Sequence, residues 1–287
     1  MIAPDRRTVI GNIQACVSRN AFNDKVEIGD PVLDEEGARR TLYRIVKHRE
    51  SIPYGIKNFV ARRVADTLAY RFNKATIFMG MERLSAVKGA AIVTSNHFAP
   101  FENTILRIMA SKAGRGPLRA VSQDTNFAMK GWMGFMLRYT DLIPVSHDQG
   151  FMSTFFEPML ADALAGGHFV LMYPEQEMWF NYRKPRPLKR GAYHYAAKFG
   201  VPVVSCFVQI DDLPGVGNDG MGRIRCTLHV LDPIFPDSDK SVRENSILMM
   251  RQDYAQKREA YERAYGKPLD YTFENWDIAG YEQGLRV

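Results

Sequence analysis

An imidazole and, five residues on, a carboxylate form the pairing in this chain best placed for acid–base chemistry: His97 and Glu102, in the stretch Asn96-His97-Phe98-Ala99-Pro100-Phe101-Glu102. The apolar run Ala90-Ala91-Ile92-Val93 comes directly before it, so a buried strand delivers a histidine to its carboxyl end. Pro100 suits the first position of a helix with Ile105, Leu106 and Met109 on one face and Gly114 at its close, which puts Glu102 in the first helical turn. From there the carboxylate can fold back onto Nδ1 of the imidazole and leave Nε2 free as a general base. Such a pair, with no nucleophile of its own, suits an enzyme whose nucleophile is a substrate hydroxyl activated for attack on an acyl donor. The competing reading of these two residues is a surface histidine beside an unrelated helix carboxylate.

The elements that must hold this pair alternate from Thr76 onwards. Short apolar runs predict strands near 76–79, 90–95, 118–122, 141–145, 168–173, 201–210 and 223–231. Helical patterns fall between them near 100–112, 127–139, 151–165 and 189–199, with a charged helix over 241–265. The expectation is an α/β fold with a mixed or parallel sheet flanked by helices. It divides into an N-terminal helical region (1–75), a catalytic domain (76–235) and a C-terminal helix and tail (236–287), forming one compact unit. Ile224, Cys226, Leu228 and Val230 alternate with Arg223, Arg225, Thr227 and His229, which predicts a half-exposed strand at the sheet edge. Asp34 can cap a helix running to Arg49, and Pro53 and Gly55 mark a break. Ile56, Phe59, Val60, Val64, Leu68 and Phe72 then recur at helical spacing among Lys57, Arg62, Arg63, Arg71 and Lys74. This basic amphipathic helix either packs its stripe on the catalytic domain or lies in an anionic membrane interface.

Composition narrows the classes. A chain of 287 residues can bury a large core, and a net charge of +6 with a pI near 9.2 favours anionic partners. Cys16, Cys206 and Cys226 lie far apart without metal-ligand spacing, which fits a reducing compartment and no metal site. No apolar segment follows the charges of Asp5, Arg6 and Arg7, and no apolar run is long enough to span a bilayer, so neither export nor integral insertion is expected. Gly215-Val216-Gly217-Asn218-Asp219-Gly220 spells a dinucleotide fingerprint but precedes an alternating strand rather than a helix, and reads as a turn. Neither G-x-S-x-G nor H-E-x-x-H occurs. The aromatic and basic loop from Trp179 to Arg190 has the composition of a single-strand nucleic-acid platform, yet it follows a catalytic-looking Glu and is broken by Pro185 and Pro187, so no nucleic-acid partner is expected.

With Asn96 before it, the His97-x4-Glu102 spacing resembles the first motif of the glycerolipid acyltransferases, the 1-acylglycerol-3-phosphate acyltransferases and their relatives. Most of that family has Asp in place of Glu102, whereas the lipid A secondary acyltransferases have Glu in a similar setting. Gly131-Trp132-Met133-Gly134 followed by Ile143-Pro144-Val145 resembles the second motif, with His147 where the family carries a phosphate-binding Arg. Tyr173-Pro174-Glu175 matches the start of a Phe-Pro-Glu-Gly-Thr-Arg motif, which Gln176, Glu177 and Met178 do not continue. Lys189-Arg190-Gly191-Ala192 and Val201-Pro202-Val203 follow in family order.

The resemblance implies an O-acyltransferase that takes an acyl group from acyl-CoA or acyl carrier protein to a hydroxyl of a lysophospholipid, glycolipid or related lipid acceptor. His97 would be the base and Glu102 its orienting partner. Asn96, His147, Glu175, Gln176, Arg183 and Lys189 would bind substrate, and Met129, Met133, Met136, Met172 and Met178 would line an acyl groove. No metal or bound cofactor would be needed. The protein would sit peripherally on the cytoplasmic face of the cell membrane. An acyl thioesterase and an inactive lipid- or carrier-binding protein remain as alternatives. Without the family's Arg residues, either Arg183, Lys184, Arg186 or Lys189 holds an acceptor phosphate, or the acceptor has none and Gln176 and Glu177 take sugar hydroxyls.

Overall fold

A computed structural model describes residues 6–217 and 220–281. Asp5 at the charged N-terminus, and Asn218 and Asp219 within the glycine-rich turn, lie outside the described residues.

All seven expected strands form, in one sheet of order β1-β7-β6-β2-β5-β3-β4. They are Ile77–Met79, Ala91–Thr94, Arg119–Gln123, Leu142–Val145, Phe169–Leu171, Val203–Val216 and Gly222–Val230, numbered β1 to β7 in chain order. Strands β6, β2, β5, β3 and β4 run parallel, and β7 turns back antiparallel to β6. Strand β2 sits between β5 and β6 and is buried throughout, as its unbroken apolar run requires. The late alternating strand was expected at the edge, but β1 pairs beyond it, from Ile77 opposite Thr227 to Met79 opposite His229. Because β1 covers only that end of β7, Arg223 and Arg225 remain exposed and the alternation survives.

The helices in chain order are Arg6–Ser18 (α1), Glu35–His48 (α2), Ile52–Phe72 (α3), Asn103–Lys112 (α4), Asp124–Phe127 (α5), Gly131–Tyr139 (α6), Gln149–Phe151 (α7), Glu157–Ala165 (α8), Gly191–Phe199 (α9) and Val242–Tyr265 (α10). Asp34 caps α2, and Ser241 and Glu244 form a capping box on α10. Pro53 and Gly55 do not break a helix: Ser51 caps α3, and Pro53 occupies its first turn, where no backbone N–H is required. Helix α4 begins at Asn103, later than Pro100 suggested, and leaves Glu102 at the cap position.

Two further findings concern the additions at the ends. Helix α3 packs through small residues, with Ala61 and Ala69 buried. Asp141 anchors it: Arg62 donates to this buried carboxylate through Nε and Nη2, each at 2.6 Å, and Asn58 and Arg119 donate as well. Burial pushes the Asp141 pKa up, but the Arg62 and Arg119 guanidiniums outweigh it and the net shift is downward. The stripe, expected either to pack on the catalytic domain or to lie in a membrane interface, is largely exposed. Ile52 is 82% exposed, and Ile56, Phe59 and Val60 also face outward, beside exposed Lys57 and Arg63.

Helix α1, which the sequence did not reveal, joins a second core. Val9, Ile10 and Ile13 pack there with Trp179, Phe180, Tyr182 and Ile278, so α1 and the segment around Ile278 close over the loop from Glu175 to Lys189. The tail is pinned by Ala279 N–H to the Asn181 carbonyl (2.9 Å) and Gly222 N–H to the Gly280 carbonyl (2.7 Å). Gly280 has φ +79°, and a Cβ there would lie 2.6 Å from the Gly222 carbonyl oxygen, so only glycine allows this approach.

Candidate active site

The chain leaves β2 through Ser95 and Asn96, both buried, and His97 emerges at the carboxyl end of the parallel strands, where open α/β sheets bind ligands. Asn96 extends the pairing beyond the strand. Its Oδ1 accepts from Val208 N–H (2.8 Å) and its Nδ2 donates to the Val208 carbonyl (3.0 Å). Below it a buried cluster braces the strand end: Asp253 accepts from Thr94, Tyr193 and Lys257, and Lys257 also donates to Thr94 (2.9 Å).

The backbone of His97 is held on both sides. Its N–H donates to Glu175 Oε2 (3.2 Å), its carbonyl accepts from Trp179 N–H (3.0 Å), and the Phe98 carbonyl accepts from Asn181 N–H (2.8 Å). The side chain turns to Glu102, whose Oε1 bonds Nδ1. Glu102 makes no cap bond to its own helix, so its carboxylate is available for the imidazole. Its side chain is only 2% exposed, while that of His97 keeps 21%, enough for a substrate to reach the ring. The Tyr173 ring lies parallel to the imidazole, with centroids 3.9 Å apart and planes at 7°.

The structure separates the residues expected to bind substrate. Asn96, Glu175 and Arg183 are buried, with their polar atoms occupied by the protein itself. Glu175 accepts from His97 N–H, Arg186 N–H (2.9 Å) and the Arg186 guanidinium (2.9 Å), and so ties the loop to the strand end. Arg186 lies over the Trp179 ring and also donates to the Phe22 carbonyl (2.8 Å). Arg183 pairs with Asp212 (2.7 Å) and donates to the Ile210 and Trp276 carbonyls; Lys184 pairs with Asp277 (2.9 Å). These cations cannot swing to an acceptor without abandoning buried partners, a move charge burial makes costly.

Gln176 and Lys189 remain exposed beside this loop, Gln176 with φ +69° and Lys189 with its N–H on the Pro174 carbonyl (2.8 Å). His147 is exposed beyond β4, three places along the sheet from β2 and therefore about 14 Å away at the usual strand spacing. The backbone N–H groups of Glu102 and Thr104, at the start of α4, are taken by the Ala99 and Phe101 carbonyls.

An apolar groove of about 250 Å³ is lined by Pro100, Phe101 and Asn103, neighbours of Glu102 in sequence, and runs between α3, α4 and α6 to Leu142. Phe72, Phe101 and Trp132 line it and are themselves exposed. Met133 and Met136 line it as well, whereas Met172 belongs to the main core. A second recess of about 600 Å³, between α2 and α6, includes Arg44, Lys47 and His48. Among the described residues, no group of three or more His, Cys, Asp or Glu side chains could hold a metal ion.

Tyr173 and Arg186 carry more of this geometry than their sequence setting suggested. The signals were Tyr173 heading the third motif and Arg186 fixed between Pro185 and Pro187.

Residues 76–209 match the family model described as Acyltransferase. Among solved structures, the 1-acyl-sn-glycerophosphate (LPA) acyltransferase PlsC from Thermotoga maritima is similar at 15% identity and a TM-score of 0.49, over 81% of this chain and 97% of that chain. No curated protein matches the sequence.

Proposed function

We infer that this chain, an acyltransferase by the family of its residues 76–209, moves a fatty acyl group from a thioester to a lipid hydroxyl. The observation that carries this reading is the His97–Glu102 pair at the end of β2, with an apolar groove whose lining includes Phe101 and Asn103, the residues on either side of Glu102. Nε2 of His97 takes the acceptor hydroxyl proton as the oxygen attacks the thioester carbonyl, then returns it to the departing thiolate. Glu102 holds the tautomer and balances the imidazolium. The groove receives the acyl chain, with Met133 and Met136 as its adaptable wall. The donor is acyl-CoA or acyl carrier protein.

A glycolipid or another hydroxylated lipid fits the acceptor site better than a phosphate monoester. Three of the four cations that could replace the missing Arg residues, Arg183, Lys184 and Arg186, are buried and held in ion pairs, and Lys189 alone of the four is exposed. Release of free thiol from acyl-CoA, followed with a thiol reagent, tests the reaction class. Transfer requires release that depends on added acceptor lipid; acceptor-independent release would favour the thioesterase alternative.

The outward stripe of α3, Ile52, Ile56, Phe59 and Val60 with Lys57 and Arg63, supports peripheral attachment to an anionic membrane. No described helix is long and apolar enough to cross a membrane. Cosedimentation with vesicles rich in anionic lipid is expected to weaken markedly as salt rises to where the Debye length is about 8 Å. Phe59→Asp is expected to reduce binding further. Salt-insensitive binding, or none, would contradict attachment through this face.

A further inference from the structure

Tyr173 stands just past β5, parallel to the His97 ring at 3.9 Å, so any tilt of the imidazole must push against the phenol. Oε1 of Glu102 is spent on His97 Nδ1, while its Oε2 is buried with no hydrogen-bond partner. The Tyr173 hydroxyl is also buried; it lies beside the Glu102 carboxylate without a hydrogen bond of regular geometry. Two orphaned oxygens, one a donor and one an acceptor, thus flank the same imidazole. Burial first, and then the Glu102 carboxylate, hold the Tyr173 phenol well above its ordinary range, so it is present as a neutral O–H. A bare carboxylate oxygen inside a protein is expensive, and the imidazolium that forms at His97 requires this carboxylate to stay charged.

We propose that Tyr173 is a positioning residue for the pair, its ring fixing the imidazole plane and its O–H turning onto Glu102 Oε2 as His97 takes up a proton. No new bond to substrate is involved. Tyr173 acts through Glu102, keeping the proton on His97 Nδ1 and the charge on the carboxylate while the acceptor oxygen attacks. The proposal rests on His97 acting as the base.

Tyr173→Phe keeps the stack and removes the O–H. Its kcat is expected to fall about tenfold with KM for donor and acceptor unchanged, the size of one hydrogen bond to a charged group. In a Glu102→Asp background the shorter arm withdraws the second oxygen, and the same substitution is expected to cost less than about twofold. The low-field Nδ1 proton resonance of His97, read by NMR without donor or acceptor, is expected to move in Tyr173→Phe. A kcat within about twofold of wild type with that resonance unmoved would overturn the proposal, and so would an equal loss in both backgrounds, which would mean packing alone. If the resonance moved but wild type transferred no acyl group, the Tyr173 contact would be supported and the acyltransferase reading overturned.

Discussion

Replacing His97 by Ala is expected to lower kcat by about 10²–10⁴-fold, the range for loss of a general base, while circular dichroism stays close to wild type. The fold should tolerate the change because His97 is tied into the structure chiefly through its backbone, whose N–H and carbonyl bonds to Glu175 and Trp179 the substitution keeps. Glu102→Gln is expected to lose activity by a similar order, since an amide neither fixes the same tautomer nor balances an imidazolium. Glu102→Asp should retain measurable turnover, because the charge remains and only the reach of the arm is shortened. Steady-state kinetics on the three variants with one donor and one acceptor measure all of this.

Arg186→Ala should have the largest effect on stability. The guanidinium and Glu175 are a buried ion pair, and removing one partner leaves an uncompensated carboxylate, typically at a cost of about 3–5 kcal/mol. Denaturant unfolding should show the midpoint falling with little change in slope. Activity should fall as well, even where the variant is folded, because Glu175 is the acceptor for the His97 N–H and its carboxylate would turn towards solvent. Pairing Arg186→Met with Glu175→Leu removes both charges, so much of the stability should return, but not the activity. Recovery of both together would mean that the clamp contributes nothing to placing His97.

The sheet was legible because its strands are apolar runs of ordinary length, and the His97–Glu102 spacing announced a contact that one turn of chain can make. What local patterns could not convey was long-range pairing. Nothing near Glu175 in the sequence says that its carboxylate will close on Arg186 and the His97 backbone rather than face a substrate. The same holds for Arg183 and Lys184, which read as a loop of free cations until the tail brings Asp277 and the Trp276 carbonyl against them. The apolar periodicity of α3 identified a helix but not its orientation, because Asp141, far along the chain, turns the face bearing Asn58 and Arg62 inward. Helix α1 escaped for a related reason: its apolar residues meet partners from the loop and the tail, not from neighbours in sequence.

The central claim is acyl transfer to a lipid hydroxyl with His97 as base, and mass spectrometry of the lipid products tests it most directly. Wild type and His97→Ala would each be incubated with acyl-CoA and a total lipid extract. The expected result is a new lipid species heavier by one acyl group, ester-linked, formed by wild type and absent with His97→Ala. Free fatty acid alone, no product, or the same acylated lipid from both proteins would contradict it.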